Sequence, residues 1–169
     1  MPGLDIQPVE DGQWSILAWL WQCFRHDLAL VVGGLPYVDG RYQTRGLPER
    51  PSPDVAAYLG WRVHPKTGQL APLGFAVVDG LITQSRRSIA ALWVAPLVRS
   101  EGLGMDLGLD VTRRHDPPWA VAFQHDNDGA GRFWRRFADS AFGPGDWTEA
   151  LREVPGVPGA PPDHWIETT

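Results

Sequence analysis

Residues 88–107 read SIAALWVAPLVRSEGLGMDL, and this stretch decides the fold. Its first part, residues 88–94, is a continuous apolar run that predicts a central strand buried on both faces of a sheet. The turn that follows contains Gly102 and Gly104, and the pattern then predicts a helix over residues 102–114. A strand that runs through glycines into a helix brings free backbone N–H groups together at the positive end of the helix dipole. The segment therefore predicts an anion site, to which Arg99 can add a charge-assisted hydrogen bond.

Two common phosphate-binding motifs do not fit this segment. The P-loop motif G-x-x-x-x-G-K-[ST] requires a lysine followed by a hydroxyl residue, and neither follows the glycines here. The dinucleotide motif G-x-G-x-x-G follows the first strand of a parallel βαβ unit. Gly102 and Gly104 instead lie in the middle of the chain and have no third glycine at that spacing. The anion must therefore belong to another class of ligand.

The rest of the chain predicts an α/β fold with a mixed sheet. A helix over residues 14–30 carries apolar residues at three- and four-residue spacing and is expected to bury a wide face. Residues 35–54 are irregular, and a connection of that length is typically functional or flexible. The remaining elements are a helix over residues 128–140 and strands over residues 4–9, 55–64, 73–78, 119–124, 147–154 and 164–168.

The composition excludes several classes of protein. The 169 residues carry a formal net charge of −5, which argues against a protein that neutralises nucleic-acid phosphates. A lone cysteine, Cys23, forms neither an internal disulfide nor a multi-cysteine zinc site. No secretion signal and no run of 18 apolar residues is visible. We expect residues 1–169 to form a single cytoplasmic domain, monomeric or homodimeric, without a metal, a nucleic-acid partner or a membrane partner.

Two motifs in register resemble the GNAT superfamily of acetyl-CoA-dependent N-acetyltransferases. The pattern V-x-P-x-x-R-x-x-G-x-G-x-x-L resembles the acetyl-CoA loop of that family, and a later N-x-x-A-x-x-[FL]-[YW] element opens the helix after the next strand. The first motif is carried by Val94, Pro96, Arg99, Gly102, Gly104 and Leu107, and the second by Asn127, Ala130, Phe133 and Trp134. The resemblance implies a mostly antiparallel sheet that opens at its central strands and is flanked by helices.

The resemblance also implies a set of cofactor-binding residues. Backbone groups of Leu92, Trp93 and Val94 would pair with the pantetheine arm of acetyl-CoA like an additional strand. The loop would cradle the pyrophosphate through Arg99, Ser100, Glu101, Gly102, Leu103 and Gly104. Asn127, Ala130, Phe133 and Trp134 would complete the site, although Asn127 is equally suited to cap its helix and Phe133 to pack in the core. An amine would attack the thioester directly, without a covalent enzyme intermediate.

The sequence departs from the family at the groups that move protons. Many members carry a tyrosine as general acid where this chain has Trp134, and many carry a glutamate base on the central strand, where residues 88–94 contain no acid. His125, Asp126, Tyr42 and Asp27 remain as candidate bases, and we select His125 because histidine titrates near neutral pH. The expected function is acetyl transfer to an amine of a small molecule or peptide. The alternative is a catalytically weak acyl-CoA-binding sensor.

Overall fold

The computed structural model describes residues 3–64 and 66–169, and within them the chain forms seven strands and three α-helices. The strands lie in one sheet in the order β1-β2-β3-β4-β5-β7-β6. This arrangement confirms the predicted α/β class with a mixed, mostly antiparallel sheet. The elements in chain order are β1 (Asp5–Pro8), α1 (Trp14–Val32), β2 (Ala56–Val63), β3 (Leu70–Asp79), β4 (Arg87–Val94), α2 (Leu103–Arg113), β5 (Trp119–Phe123), α3 (Asp128–Phe142), β6 (Trp147–Arg152) and β7 (Asp163–Thr168).

The helices begin and end at local sequence signals. Asn127 caps α3, because its side-chain oxygen accepts a hydrogen bond from the backbone N–H of Ala130 at 3.1 Å. Helix α1 ends at Gly33, whose φ of +64° lies in the left-handed region. A 3₁₀ turn, Pro96–Val98, separates β4 from the glycine loop, and α2 begins after Gly102. The predicted helix bounds are therefore close to those observed.

The sheet opens between its central strands. Strands β4 and β5 run parallel and pair only at Arg87 with Trp119 and at Ser88 with Ala120. Beyond these pairs the two strands diverge, so the inner edge of β4 towards Val94 has no neighbouring strand. We refer to this gap as the opening. Its position confirms the expectation of a sheet that opens between the strands ending at Val94 and near Gln124.

The helices cover the sheet on two faces and create two separate apolar clusters. Helices α2 and α3 cover one face, where Leu107 and Phe137 are buried against the sheet. Helix α1 covers the other face through Leu17 and Trp21. The expected wide buried face of α1 is confirmed, because Leu17 and Trp21 are fully buried and the partly buried Trp14, Ile16, Leu20 and Phe24 pack against the same cluster. Trp19 lies on the opposite side of the helix and is 76% exposed.

The central strand is less buried than its apolar sequence predicts. In β4, Ile89, Ala91, Trp93 and Val94 are buried, but Ala90 is exposed. The pairing register with β3 shifts at this point, since Ile89 and Ala91 face consecutive residues of β3 and Ala90 is left without a partner. This β-bulge turns Ala90 out of the core. The prediction of a strand buried on both faces along its whole length was therefore wrong at this residue.

Candidate functional site

A cavity of about 700 Å³ occupies the opening. The end of β4, the glycine loop and the first turns of α2 and α3 form its walls. Eleven of the residues selected from the sequence line it: Leu92, Trp93, Val94, Arg99, Ser100, Gly102, Gly104, Asn127, Ala130, Phe133 and Trp134. Met105, Gly129 and Arg136 also line it and were not selected. Each of them lies within one helical turn of a selected residue: Met105 of Gly104, Gly129 of Asn127, and Arg136 of Phe133. This closeness along the chain could have identified them.

The glycine loop presents backbone donors to the cavity. Gly102 adopts a φ of +85°, a left-handed conformation that glycine takes without strain. Met105 is the first residue of α2 whose amide donates a hydrogen bond to a preceding carbonyl, that of Gly102, at 2.9 Å. The amides of Leu103 and Gly104 precede it and therefore have no acceptor inside the helix. These two donors and the helix dipole favour an anion at this end of the cavity.

Gly104 is the second residue of α2 and lines the cavity beside these donors. A Cβ atom built on it would lie 3.5 Å from the Phe133 ring and 3.6 Å from Val94, which is ordinary van der Waals contact. The fold therefore does not require a glycine here. Space for a ligand next to the backbone is the remaining physical reason for this residue type.

The second motif supplies the opposite wall of the cavity. Asn127 both caps α3 and lines the cavity, so the two roles considered for it from the sequence coexist. Trp134 is only 8% exposed and packs edge-on against Phe133, with ring centroids 4.9 Å apart. Phe133 is half-buried and contributes to the wall as well as to the core. This wall is aromatic, and Trp134 has no group that can act as an acid.

Arg99 is held on the side of α1 rather than free in the cavity. Its Nε donates to the Val94 carbonyl at 3.0 Å, and its guanidinium also donates to Oδ2 of Asp27. The same oxygen accepts a hydrogen bond from the indole N–H of Trp93 at 2.9 Å. Partial burial alone would raise the pKa of Asp27, but the hydrogen bonds from Trp93 and Arg99 outweigh it and hold that pKa below its ordinary value. The pair joins α1 to the glycine loop.

Two further residues of the predicted loop do not line the cavity. The Glu101 carboxylate forms an ion pair with Arg62 of β2 at 2.7 Å, and Leu103 is buried in the apolar cluster under α2. Their side chains hold the loop in place, and only their backbone groups are available to a ligand. Their assignment as cofactor-binding residues stays a prediction for the backbone alone.

His125 lies outside the cavity wall, at the end of β5. Its side chain is exposed, and its Nδ1 lies 3.1 Å from Nε2 of His164, with the two rings stacked. His164 contacts the Glu149 carboxylate through Nδ1 at 2.5 Å, and Arg135 binds that carboxylate with two hydrogen bonds of 2.7 and 2.8 Å. The hydrogen bonds from Arg135 lower the pKa of Glu149, with a smaller contribution from His164, against the effect of partial burial. The catalytic role of His125 stays a prediction.

Two structural features bear on partners of other classes. Among residues 3–64 and 66–169, no group of three or more His, Cys, Asp or Glu side chains is arranged to bind a metal ion. None of the helices in that part of the chain is long and apolar enough to cross a membrane.

The architecture matches that of solved acetyltransferase structures. NAA60 of Arabidopsis thaliana in complex with acetyl-CoA aligns over 98% of this chain and 97% of its own, with 13% identity and a TM-score of 0.61. The NatC complex bound to Gag peptide and CoA aligns over 99% and 98%, with 16% identity and a TM-score of 0.59. A Bacillus subtilis acetyltransferase in complex with CoA aligns over 98% and 97%, with 11% identity and a TM-score of 0.58.

The chain has the GNAT acyltransferase fold. The similarity lies in the fold rather than in the overall sequence, since no protein-family model matches the sequence and no curated protein matches it either. The cavity in the opening of this GNAT fold is lined by the two motifs that carry the sequence resemblance.

Proposed function

We propose that this chain is an N-acetyltransferase that moves an acetyl group directly from acetyl-CoA to an amine of a small molecule or peptide. The observation that carries the proposal is the cavity in the opening, which joins the unpaired edge of β4 to the free amides at the start of α2. The three solved structures named above, which share this fold, are complexes with acetyl-CoA or CoA. In this proposal, residues 1–169 act as one acetyltransferase domain.

The pantetheine arm of the co-substrate fits the free edge of β4. On its other edge, β4 pairs with β3, where Leu92 faces Ala76, Trp93 faces Phe75 and Val94 faces Gly74. The edge that faces the opening has no strand partner beyond Ser88 and can form backbone hydrogen bonds to an extended amide-containing ligand. This supports the assignment of Leu92, Trp93 and Val94 to pantetheine binding.

The phosphates of the co-substrate fit the opposite end of the cavity. The amides of Leu103 and Gly104 would bind the pyrophosphate at the positive end of α2. Arg136, which is exposed and lines the cavity, is the arginine of α3 best placed for a further phosphate. Its neighbour Arg135 is less available, because its guanidinium is already paired with Glu149.

The chemical step forms a C–N bond and breaks the C–S bond of the thioester. A backbone N–H near Val94 would stabilise the charge that develops on the acetyl oxygen. The amine must lose a proton before or during attack, and the departing thiolate takes one up from solvent. We assign His125 as the base. Its side chain lies outside the cavity wall and its Nδ1 faces His164, so Nε2 is the nitrogen that would accept the proton, through water.

A catalytically weak acyl-CoA sensor is the second candidate. It is favoured by Trp134, which replaces the usual tyrosine acid, and by the absence of an acidic residue from the strand Arg87–Val94. Both candidates predict that the protein binds acetyl-CoA, and only the enzyme predicts turnover.

The deciding experiment combines calorimetry with thiol detection. Calorimetry measures acetyl-CoA binding, and release of free CoA thiol is followed over a panel of small amines, amino acids and peptides. Binding with amine-dependent thiol release supports the enzyme. Binding without release for any amine supports the sensor. No binding of acetyl-CoA or CoA would contradict both.

A further inference from the structure

Asp27 is a carboxylate placed at the end of the central strand by an element that carries no cofactor motif. It lies on α1, on the opposite face of the sheet from α2 and α3, and contacts β4 through the Trp93 indole. Both of its strong donors, Trp93 and Arg99, bind the same oxygen, Oδ2. The other oxygen, Oδ1, has only His26 nearby, at 3.8 Å, and the side chain is 33% exposed. One carboxylate oxygen is therefore open to a further donor.

Asp27 is paired with Arg99, the arginine of the glycine loop that is expected to bind phosphate. Arg99 lines the cavity, yet its guanidinium is bound to Asp27 and to the Val94 carbonyl. A pyrophosphate carries at least two negative charges and accepts bidentate hydrogen bonds from arginine, so it attracts this guanidinium more strongly than a single carboxylate does. The Arg99 side chain is half exposed.

We propose that Asp27 and the pyrophosphate of the co-substrate compete for Arg99, and that the Asp27 carboxylate released by this exchange binds the ammonium group of the acceptor. The inference rests on the proposed function and adds to it a residue that selects a cationic acceptor. Cofactor binding would thus prepare the acceptor site, because the same guanidinium cannot neutralise both anions.

The surroundings of Asp27 favour a cation as its new partner. Once Arg99 has moved, the neutral indole N–H of Trp93 is its remaining strong donor, and a partly buried carboxylate in that state requires a positive charge. His26, the neighbour of Asp27 on α1, lies 3.8 Å from Oδ1, and its ring packs edge-on against Tyr42 with ring centroids 5.9 Å apart. An alkylammonium group supplies both the charge and the hydrogen-bond donors that Oδ1 lacks.

Calorimetry with CoA tests the competition without knowledge of the acceptor. Asp27→Asn keeps an oxygen for Trp93 but removes the charge that holds Arg99, and we expect it to tighten CoA binding about 5-fold. Arg99→Gln should weaken CoA binding about 10-fold, the loss of one charge-assisted contact. In the Arg99→Gln background, Asp27→Asn should have no effect. Asp11→Asn, an exposed residue in the turn before α1, is the control for a change in net charge alone.

A second titration tests the acceptor half of the proposal by thermodynamic linkage. Ethylammonium chloride at about 0.1 M, compared with sodium chloride at equal ionic strength, should tighten CoA binding to the wild type about 2-fold and leave Asp27→Asn unaffected. If ethylammonium has no effect on the wild type, the assignment of Asp27 to the acceptor is wrong. If Asp27→Asn binds CoA with unchanged or lower affinity, the competition is wrong.

Two controls separate this inference from the proposed function. Failure of the wild type to bind CoA would overturn the proposed function and the competition together, whereas failure of the Asp27 comparison alone overturns only the competition. Thermal denaturation establishes that each variant is folded. Asp27→Ser replaces Asp27→Asn if the latter is not folded, with the same expected gain in CoA affinity.

Discussion

Gly104 provides the sharpest test of the cofactor site, because the fold has room for a Cβ atom at this position. An aspartate at this position would place its Cβ at ordinary contact distance from Phe133 and Val94. Its carboxylate would then stand beside the free amides of Leu103 and Gly104, where the pyrophosphate is expected. We predict that Gly104→Asp loses CoA affinity and keeps the stability of the wild type.

The expected loss follows from the repulsion of two like charges. At a separation of about 5 Å, two unit charges repel by roughly 1 kcal/mol in water and about 3 kcal/mol at an effective dielectric constant near 20. This corresponds to a loss of affinity of about 5- to 150-fold, to which the lost space next to the backbone adds. Raising the salt concentration should reduce the difference between Gly104→Asp and the wild type, because the repulsion is screened.

Gly104→Ala is the matched control for this experiment. It adds the same Cβ without a charge, so its CoA affinity should lie between those of the wild type and Gly104→Asp. Calorimetry gives the dissociation constants, and thermal denaturation gives the stability of each variant. The reasoning is refuted if Gly104→Asp binds CoA as tightly as the wild type, or if its affinity is lost together with its fold.

Four further substitutions test other parts of the structure. Gly108→Ala should lower the free energy of unfolding by about 1–3 kcal/mol in a denaturant titration, because its Cβ would lie 2.7 Å from the buried Phe137 ring; an unchanged midpoint would contradict the packing. Asp79→Asn should raise the melting temperature at pH 7 but not near pH 3. Burial, assisted by the charge of a nearby aspartate, raises the pKa of the Asp79 carboxyl. The folded state therefore loses stability as pH rises and this group ionises. An equal effect at both pH values would exclude the charge as the cause. Trp134→Phe should weaken CoA binding with little change in kcat, and a large loss in kcat would assign chemistry to the indole. His125→Ala should lower the rate about 10²-fold and remove the pH dependence that a histidine base gives to the rate; an unchanged pH profile would assign deprotonation to solvent without this histidine.

The parts of the site that the sequence predicted depend on short-range spacing. The glycine loop and the Asn127 cap are built from residues within a few positions of one another, so their local conformation is largely independent of the rest of the chain. The sequence predicts that β3 starts at residue 73, three residues after its observed start at Leu70. Leu70 joins the strand because it pairs with Val63, not because of its own apolar pattern.

The parts that the sequence could not predict depend on long-range contacts. Arg99 and Asp27 are 72 residues apart, and the packing of α1 against the sheet brings them together. The partners of His125 have the same origin, since His164 reaches it from the end of the chain through the pairing of β7 with β5. A residue type in a linear motif indicates what a side chain can bind, but the other side chains in reach are set by the sheet order.

The replacement of the usual tyrosine by Trp134 does not by itself exclude catalysis. A thiol has a pKa near 8.5, so its departure as a thiolate at pH 7 costs about 2 kcal/mol relative to departure as the thiol. Correct positioning of the reactants contributes about 7–11 kcal/mol, which exceeds this cost several-fold.

The proton on the acceptor is the larger obstacle. For an alkylammonium with a pKa near 10.4, conversion to the neutral amine at pH 7 costs about 5 kcal/mol of free energy. Asp27, if it binds this ammonium, stabilises the charged form and makes the proton harder to remove. Asp27 therefore fits the role of a group that selects and holds the acceptor, and a carboxylate that stabilises the charged ammonium is a poor base for it. The proton must then pass to a different group, and for this reason the pH profile of His125→Ala discriminates between the enzyme's possible bases more directly than any change at Trp134.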